Sequence, residues 1–330
     1  MSRSIARSAM AAVIAGSVFA FLPVASPSAA EQEFSVWLEG VRAEARQRGI
    51  KEETISSSLS DVKLIPRVVE LDRRQPEFTM TLDRYLSGVV SERRVRKGRA
   101  RLAEHRELLR KISAKFRVQP RFILALWGIE TDFGRVKGGF QVIPALATMA
   151  YDGRRSAYFR KELFNALTII DQGHITAKNM IGSWAGAMGQ NQFMPSSFLH
   201  YAVDHDGDGR RNIWTSTEDV FASTANYLSK VGWRDDQTWG RQVRLPDGFD
   251  SSLLGLKVKK GLSDWQALGV RRLDGGDLPR RNLTASIVRP AKNKGPAFAV
   301  YGNYRAILKW NRAHFFATAV GRLADRIAGR

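Results

Sequence analysis

The sequence predicts a predominantly helical α+β protein with a small β module inserted near the C-terminal end. Apolar residues keep helical spacing up to about Trp233, change to the two-residue alternation of strands, and return to helical spacing after Tyr304. The 330 residues, 44% of them hydrophobic and 25% charged, are enough to bury a sizeable core. These changes of period define the predicted architecture.

The N-terminus has the pattern of an export signal. Arg3 and Arg7 precede an apolar run from about residue 9 to residue 24, and small residues ending in Ala30 follow. We predict a signal peptide over residues 1–30 and a periplasmic mature protein. The run is short and contains Pro23, so a retained transmembrane helix is the less favoured interpretation. With no cysteine, the sequence excludes a disulfide framework, thiol catalysis and a lipid-modified N-terminal Cys.

The predicted elements follow in chain order. Residues 31–98 form a helical part, in which an apolar stripe on the first helix ends at Gly49, a short helix follows from about Glu52, and residues 72–78 form a proline-containing turn. Residues 99–232 form the core, with helices over about 99–116, 145–151 and 158–171 and one that begins at Pro120 and stops at Gly134. Strands at 242–245, 256–258, 285–288 and 297–301 make the β module of residues 233–302, and a helix over 303–330 returns to the core.

Glu130 is the most informative single residue. If residues 121–135 are helical, Glu130 shares an apolar stripe with Trp127 and Phe133, and Gly134 ends the helix. A carboxyl group in such a dry, aromatic environment has a raised pKa and can serve as a general acid. The alternative is a core Glu paired with an Arg.

Two further stretches have the composition of binding sites. Residues 183–197 concentrate Gly, amide, hydroxyl and aromatic side chains, which suits a carbohydrate; a glycine-mediated turn is the alternative. Residues 204–209, DHDGDG, match the start of an EF-hand loop, but position 12 is Thr215 instead of Glu. Asp219 or Glu218 would then supply the last carboxylate, whereas in the alternative Arg210 and Arg211 satisfy the acidic turn.

Several classes of function lack support. The five His residues form no HExxH motif, and GxSxG, Rossmann and P-loop fingerprints are absent. The formal net charge of +20, or +18 without Arg3 and Arg7, favours an anionic partner. For an exported protein that partner is the cell wall or a lipid surface; nucleic acid is not expected, and basicity spread over the whole surface is the alternative.

Taken in order, the motifs ETDFG from Glu130, SWAGAMGQNQFMPS from Ser183, the DGDG loop and ANYL from Ala225 resemble the lytic murein transglycosylase B family, glycoside hydrolase family 103. The resemblance covers about residue 34 to the C-terminus. It implies a lysozyme-like catalytic core, a monomer, and peptidoglycan glycan strands as the substrate, and it suggests cell-wall synthesis or secretion machinery as a partner.

The resemblance also implies roles for particular residues. Glu130 corresponds to the family's sole catalytic acid, and no cofactor is expected in catalysis. The residues expected to bind substrate are Ser183, Gln192, Asn311, Trp310, Arg154, Arg155 and Tyr158. The residues expected to hold a structural Ca²⁺ are Asp204, Asp206, Asp208, Asp219 and, through its carbonyl, Arg210.

The implied reaction cleaves the β-1,4 bond between N-acetylmuramic acid and N-acetylglucosamine without water and gives a 1,6-anhydro product. Ordinary glycosidases use a second carboxylate. The nearest candidate, Asp132, is two residues from Glu130 and so would point away from its helix face. The alternatives are a hydrolase of the same fold and a non-catalytic basic protein that binds the cell wall.

Overall fold

The computed structural model describes residues 29–73, 80–291 and 295–329. The predicted signal peptide lies outside these residues except for its last two positions. Of the turn predicted at 72–78, only the first two residues are described, and both belong to a helix. Within the described ranges, no helix combines the length and the apolar character needed to cross a membrane.

The N-terminal part is helical, as predicted. Its helices are α1 (Ala29–Gln47), α2 (Glu52–Leu59), α3 (Pro66–Arg73) and α4 (Leu82–Val89). Phe34, Leu38 and Val41 are buried, so the predicted stripe of α1 does face the core. Gly49 follows α1 with a φ of +80°, a conformation that glycine adopts without steric cost.

The helix predicted over residues 99–116 is wrong in both its start and its continuity. Two helices occupy this region, α5 (Glu92–Glu104) and α6 (Arg106–Phe116), and Ser91 caps the first by accepting the Arg94 N–H. The break falls at His105, whose ring packs against Trp127 and Phe221. The domain boundary predicted after residue 98 therefore lies inside α5.

The core consists of α7 (Pro120–Thr131), α8 (Val142–Tyr151), α9 (Ser156–Asp171), α10 (Pro195–Tyr201) and α11 (Thr217–Lys230), with a two-stranded antiparallel sheet of β1 (Phe140–Gln141) and β2 (Ile181–Gly182). Helix α7 is buried on nearly every side, whereas a single apolar stripe was predicted. It ends at Thr131, before Gly134, because Asp132 and Phe133 already have positive φ.

The glycine-rich run at 182–189 is not helical. A Cβ atom added to Gly138 would lie 2.0 Å from the carbonyl oxygen of Gly182, so the two backbones are in direct contact here. Bridges from Gly182 to Met188 and from Met188 to Phe193 place three short segments side by side. The small residues thus allow protein backbone, and not only a ligand, to approach closely.

The β module is a five-stranded sheet in the order β4-β6-β7-β3-β5. The strands are β3 (Gly240–Arg244), β4 (Lys260–Gly261), β5 (Arg271–Arg272), β6 (Thr284–Val288) and β7 (Ala297–Val300), and a short helix, α12 (Leu262–Ala267), follows β4. Three predicted strands are confirmed, but residues 256–258 form none. The module has its own apolar cluster around Trp265 and Tyr301, and Trp239 joins it to the helical core.

The C-terminal helix predicted over 303–330 is two helices, α13 (Gly302–Trp310) and α14 (His314–Ile327). The Asn311 side chain accepts the Ala313 N–H at 3.0 Å, and its backbone is extended. An Asn side chain that bonds nearby backbone in this way competes with helical hydrogen bonds. Helix α14 packs on α7, so the predicted return to the core is confirmed.

We expect Gly321→Ala to weaken the attachment of the β module to the core. A Cβ atom at Gly321 in α14 would lie 2.1 Å from the Trp239 ring, which is fully buried. Overpacking of this kind costs about 1–3 kcal/mol of unfolding free energy, measurable by urea denaturation. The control is Gly40→Ala in α1, where nothing lies within 4 Å. An unchanged urea midpoint for Gly321→Ala would contradict this packing.

Candidate active site

Glu130 is the penultimate residue of α7, and its side chain is half-buried. Burial raises its pKa from the ordinary value of 4.5 to about 7, so the carboxyl group holds a proton close to neutral pH. Within the described part of the chain, no Lys or Arg forms an ion pair with it. The arrangement therefore differs from the core Glu–Arg pair considered as the alternative.

Trp310 fixes one oxygen of the Glu130 carboxyl group. Its indole Nε1–H donates to Glu130 Oε1 at 2.7 Å, and this hydrogen bond partly opposes the effect of burial on the pKa. An indole N–H can donate but not accept. Oε1 is consequently an acceptor in both protonation states, and the acid form carries its proton on Oε2.

Two aromatic rings hold the Trp310 indole in place. The Phe193 ring lies 5.1 Å and the Tyr227 ring 4.8 Å from it, centroid to centroid. The Tyr227 hydroxyl donates to the Lys309 carbonyl at 2.7 Å, and burial raises its pKa to about 12, so it remains a donor. Both rings lie within motifs noted in the sequence, but their contact with Trp310 was not predicted.

Gln192 and Asn311 lie beside this cluster, because Gln192 precedes Phe193 and Asn311 follows Trp310 in the sequence. Gln192 has a φ of +51°, and its amide N–H₂ donates to the Lys137 and Gly189 carbonyls, which leaves Oε1 as a free acceptor. Asn311 uses Oδ1 for the Ala313 N–H, which leaves Nδ2 as a free donor.

Ser183 lies on the segment next to that of Phe193. Its hydroxyl oxygen accepts the Ala187 N–H at 3.1 Å within a tight turn. The hydroxyl proton is therefore available to a ligand.

Tyr85 is a residue of the site that the sequence did not reveal. Burial raises its pKa, and the neighbouring charge of Glu130 raises it further, which places Tyr85 close to that carboxyl group. Its ring also packs 5.6 Å from Phe315. Because α4 is remote from α7 in sequence, no local pattern signals this contact.

Asp132 lies in the turn beyond α7 and faces a group of cations. Arg135 donates to its carboxylate at 2.7 Å, and Lys97 and Arg93 at 3.4 Å each. Burial alone would raise its pKa, but these hydrogen bonds and charges outweigh burial and bring it down to about 2. Asp132 is therefore a permanent anion, unsuited to donating or exchanging a proton.

Arg154, Arg155 and Tyr158 stand apart from this cluster. Both guanidinium groups pair with the fully buried carboxylate of Asp72 in α3, Arg154 at 2.8 Å. The two Arg side chains remain about half exposed, as does Tyr158, so each keeps polar atoms for a second partner. Among the described residues, no contact joins them to Glu130 or Trp310.

The acidic loop gathers three of the five predicted metal ligands. Carboxylate oxygens of Asp204, Asp206 and Asp219 lie within 4.8 Å of one another, whereas Asp208 accepts the Arg210 N–H. Asp219 is fully buried and accepts the N–H groups of His205 and Asn212 at 2.6 Å. Burial raises its pKa.

No basic side chain neutralises this loop within the described residues, contrary to the alternative in which Arg210 and Arg211 satisfy it. Gathered carboxylates without a counterion are the donor set of a hard cation. The residues present therefore fit Ca²⁺. Thr215, at loop position 12, instead accepts a hydrogen bond from Asn212.

A helical core with one high-pKa carboxyl group at a helix end, aromatic walls and free amide and hydroxyl groups defines a lysozyme-like class of glycan-cleaving protein. Residues 33–325 match the family model described as the transglycosylase SLT domain. The chain belongs to this family.

Three relatives illustrate the likeness. Membrane-bound lytic murein transglycosylase B of Escherichia coli K12 is 30% identical over 300 residues, which cover 86% of this chain and 80% of that protein. SltB3 of Pseudomonas aeruginosa, solved with NAG-anhNAM-pentapeptide, is 47% identical with a TM-score of 0.87, over 90% of this chain and 80% of that one. Escherichia coli Slt35, solved in complex with calcium, is 28% identical with a TM-score of 0.74, over 90% of this chain and 93% of that one.

We expect Trp310→Phe to raise the pKa of Glu130 above about 7, because it removes the Trp310 hydrogen bond that stabilises the carboxylate. A hydrogen bond to a charged group is worth about 1.5–3 kcal/mol, or roughly one to two pKa units. Carbon-13 NMR titration of labelled Glu side chains would measure it. Trp37→Phe, in α1, is the matched control, and equal pKa values in wild type and Trp310→Phe would refute the assignment.

Proposed function

We propose that this protein is a lytic transglycosylase of peptidoglycan, which cleaves the β-1,4 bond between N-acetylmuramic acid and N-acetylglucosamine and leaves 1,6-anhydromuramic acid ends. The observation that carries the proposal is the Glu130 carboxyl group, which has a pKa of about 7 and accepts a hydrogen bond from the Trp310 Nε1–H. Family membership and the relatives described above support it.

In the first step, the Glu130 Oε2–H protonates the glycosidic oxygen. The bond between that oxygen and C1 of the muramic acid breaks, and positive charge develops at C1. A carboxyl group with a pKa near the working pH combines a large protonated fraction with sufficient acidity. The departing N-acetylglucosamine carries the proton away, and Glu130 becomes a carboxylate.

The positive charge at C1 needs a stabilising group, which in most glycosidases is a second carboxylate. The Asp132 carboxylate forms ion pairs with Arg135, Lys97 and Arg93 in the turn beyond α7, so we do not assign it this role. The N-acetyl oxygen of the substrate is the remaining nucleophile. We assign its orientation to the free hydroxyl proton of Ser183 and the free Nδ2–H of Asn311.

In the second step, the Glu130 carboxylate removes the proton of the muramic acid C6 hydroxyl, O6 bonds to C1, and the bond between C1 and the N-acetyl oxygen breaks. Glu130 gives up one proton in the first step and regains one in the second, so the reaction consumes no proton overall. The Trp310 N–H stabilises the intervening carboxylate. Gln192 contributes its free Oε1 as an acceptor for a sugar hydroxyl or amide.

Arg154, Arg155 and Tyr158 bind an anionic or carbonyl group of the substrate in this proposal. Asp72 orients the two guanidinium groups, and their exposed N–H groups face solvent.

The N-terminal pattern supports a periplasmic protein, and the resemblance supports a monomer.

We also propose that Asp204, Asp206 and Asp219 hold a structural Ca²⁺, with Asp208 and the Arg210 carbonyl completing the coordination. The support is the approach of three carboxylates without a counterion, together with Slt35, whose structure was solved in complex with calcium. The metal would join the loop to α11 through Asp219 and would take no part in the chemistry.

We expect Glu130→Gln to lose at least about 10²-fold in turnover of purified peptidoglycan, because an amide cannot supply the proton. Mass spectrometry of wild-type digests should show anhydro ends. Glu104→Gln, an exposed carboxylate on α5, is the control and should retain full turnover. Hydrated ends would identify a hydrolase, and unchanged turnover of Glu130→Gln would exclude the assignment of Glu130.

We expect Ca²⁺ to raise the melting temperature of the chelator-treated protein, since a ligand that binds only the folded state stabilises it by about 2.7 kcal/mol at 100 times its Kd. Asp204→Ala should abolish this increase, as measured by differential scanning calorimetry. Asp247→Ala, in the β module, is the control. If Asp204→Ala responds to Ca²⁺ as the wild type does, the loop is not a calcium site.

A further inference from the structure

A cavity of about 1090 Å³ lies behind the loop that follows Glu130. We call it the rear cavity; it is lined by residues from α2, from the loop 135–138, from the stretch 170–181 and from the segment 210–215. Glu130, Ser183 and Gln192 do not line it. Its volume is at the upper end of the roughly 300–1,000 Å³ typical of ligand pockets.

Cationic groups without partners stand at the edge of the rear cavity. Lys178 and Arg210 are exposed, and within the described residues neither side chain has an ion pair or a hydrogen bond. Arg135 uses its Nε–H for Asp132, which leaves its terminal N–H groups open. These donors come from three separate segments and converge on one space.

A buried imidazole adds a neutral donor. His174 lines the rear cavity and is only 9% exposed. Its Nδ1 accepts the backbone N–H of Arg211 at 3.2 Å, so a neutral ring carries its proton on Nε2. Within the described part of the chain, that Nε2–H has no acceptor, which leaves it for a ligand.

The rest of the lining mixes apolar and polar groups, and on the α2 side it includes Glu53, an exposed carboxylate without an ion pair among the described residues. Ile170, Ile175 and Ile181 are partly buried, and Val136 is 51% exposed at the rim. The Asp171 carboxylate already accepts two hydrogen bonds from α2. A fitting ligand has carboxylates for the cationic side and short aliphatic groups for the isoleucines, which is the chemistry of an acidic peptide.

We propose that the rear cavity binds the carboxylate-bearing stem peptide of peptidoglycan. This inference rests on the proposed function, which brings that polymer to the protein. Lys137 lies between the two sites. Its carbonyl accepts a hydrogen bond from Gln192, whereas the residue itself lines the rear cavity, and its ammonium group donates to the Trp214 carbonyl. A glycan held at Gln192 therefore carries its peptides within reach of the cavity.

The test compares two ligands on the full chain in the Glu130→Gln background, which prevents turnover. One ligand is a GlcNAc–MurNAc tetrasaccharide with pentapeptides, and the other is the same glycan after an amidase has removed them. We expect Lys178→Glu to weaken binding of the peptide-bearing ligand by about three- to tenfold in calorimetric titration, with a smaller loss at high salt, and to change binding of the peptide-free glycan by less than about twofold.

Three further variants make the result interpretable. Lys178→Arg keeps the charge and should restore binding. Lys111→Glu, on the exposed side of α6, makes the same charge change elsewhere and should have no effect. Arg155→Glu reports on the cluster at Asp72.

Equal weakening of both ligands by Lys178→Glu, or no weakening of either, would overturn the proposal. So would loss of the peptide contribution in Arg155→Glu alone, because the peptide would then bind beside Asp72. Melting temperatures verify that each variant is folded. Product analysis with wild-type protein on peptide-free glycan tests the proposed function separately, so its failure is distinguishable from failure at the rear cavity.

Discussion

The hydrogen bond from Trp310 to Glu130 is the constraint on which the site depends. A carboxyl group needs a dry environment to hold a proton near neutral pH, but it needs a donor to accept charge when that proton leaves. The break between α13 and α14 presents the indole, while Phe193 and Tyr227 fix its plane. The C-terminal helices thus complete a site whose acid is far earlier in the sequence.

This arrangement has a cost in stability. The folded pKa of Glu130 is raised, so between pH 4.5 and about 7 the folded protein binds more protons than the unfolded chain does. The free energy of unfolding therefore falls as pH rises through that window, as far as Glu130 is concerned. The buried packing of α7 offsets this loss, which is the usual compromise between stability and function at an active site.

Sequence patterns predicted the helical class, the position of the β module and a carboxyl group of raised pKa at Glu130, because these depend on local periodicity and on one carboxylate among apolar neighbours. They did not predict breaks at His105 and Asn311, where inward-facing residues keep their spacing across the interruption. Tyr85 and the ion pairs of Asp72 with two Arg residues were also missed. Such contacts join elements that are distant in sequence, and only the tertiary fold determines them.

Positive charge is concentrated beside the end of the helix that carries Glu130. Four cations, Arg93, Arg94, Lys97 and Arg135, lie within 4.0 Å of the Asp132 carboxylate. Asp132 neutralises part of that charge from within the turn that ends α7. Burial is the main cause of the raised pKa of Glu130, and the Trp310 hydrogen bond opposes it. Asp132, although excluded as a second acid, limits the net positive charge that α5 and the turn place next to the end of α7.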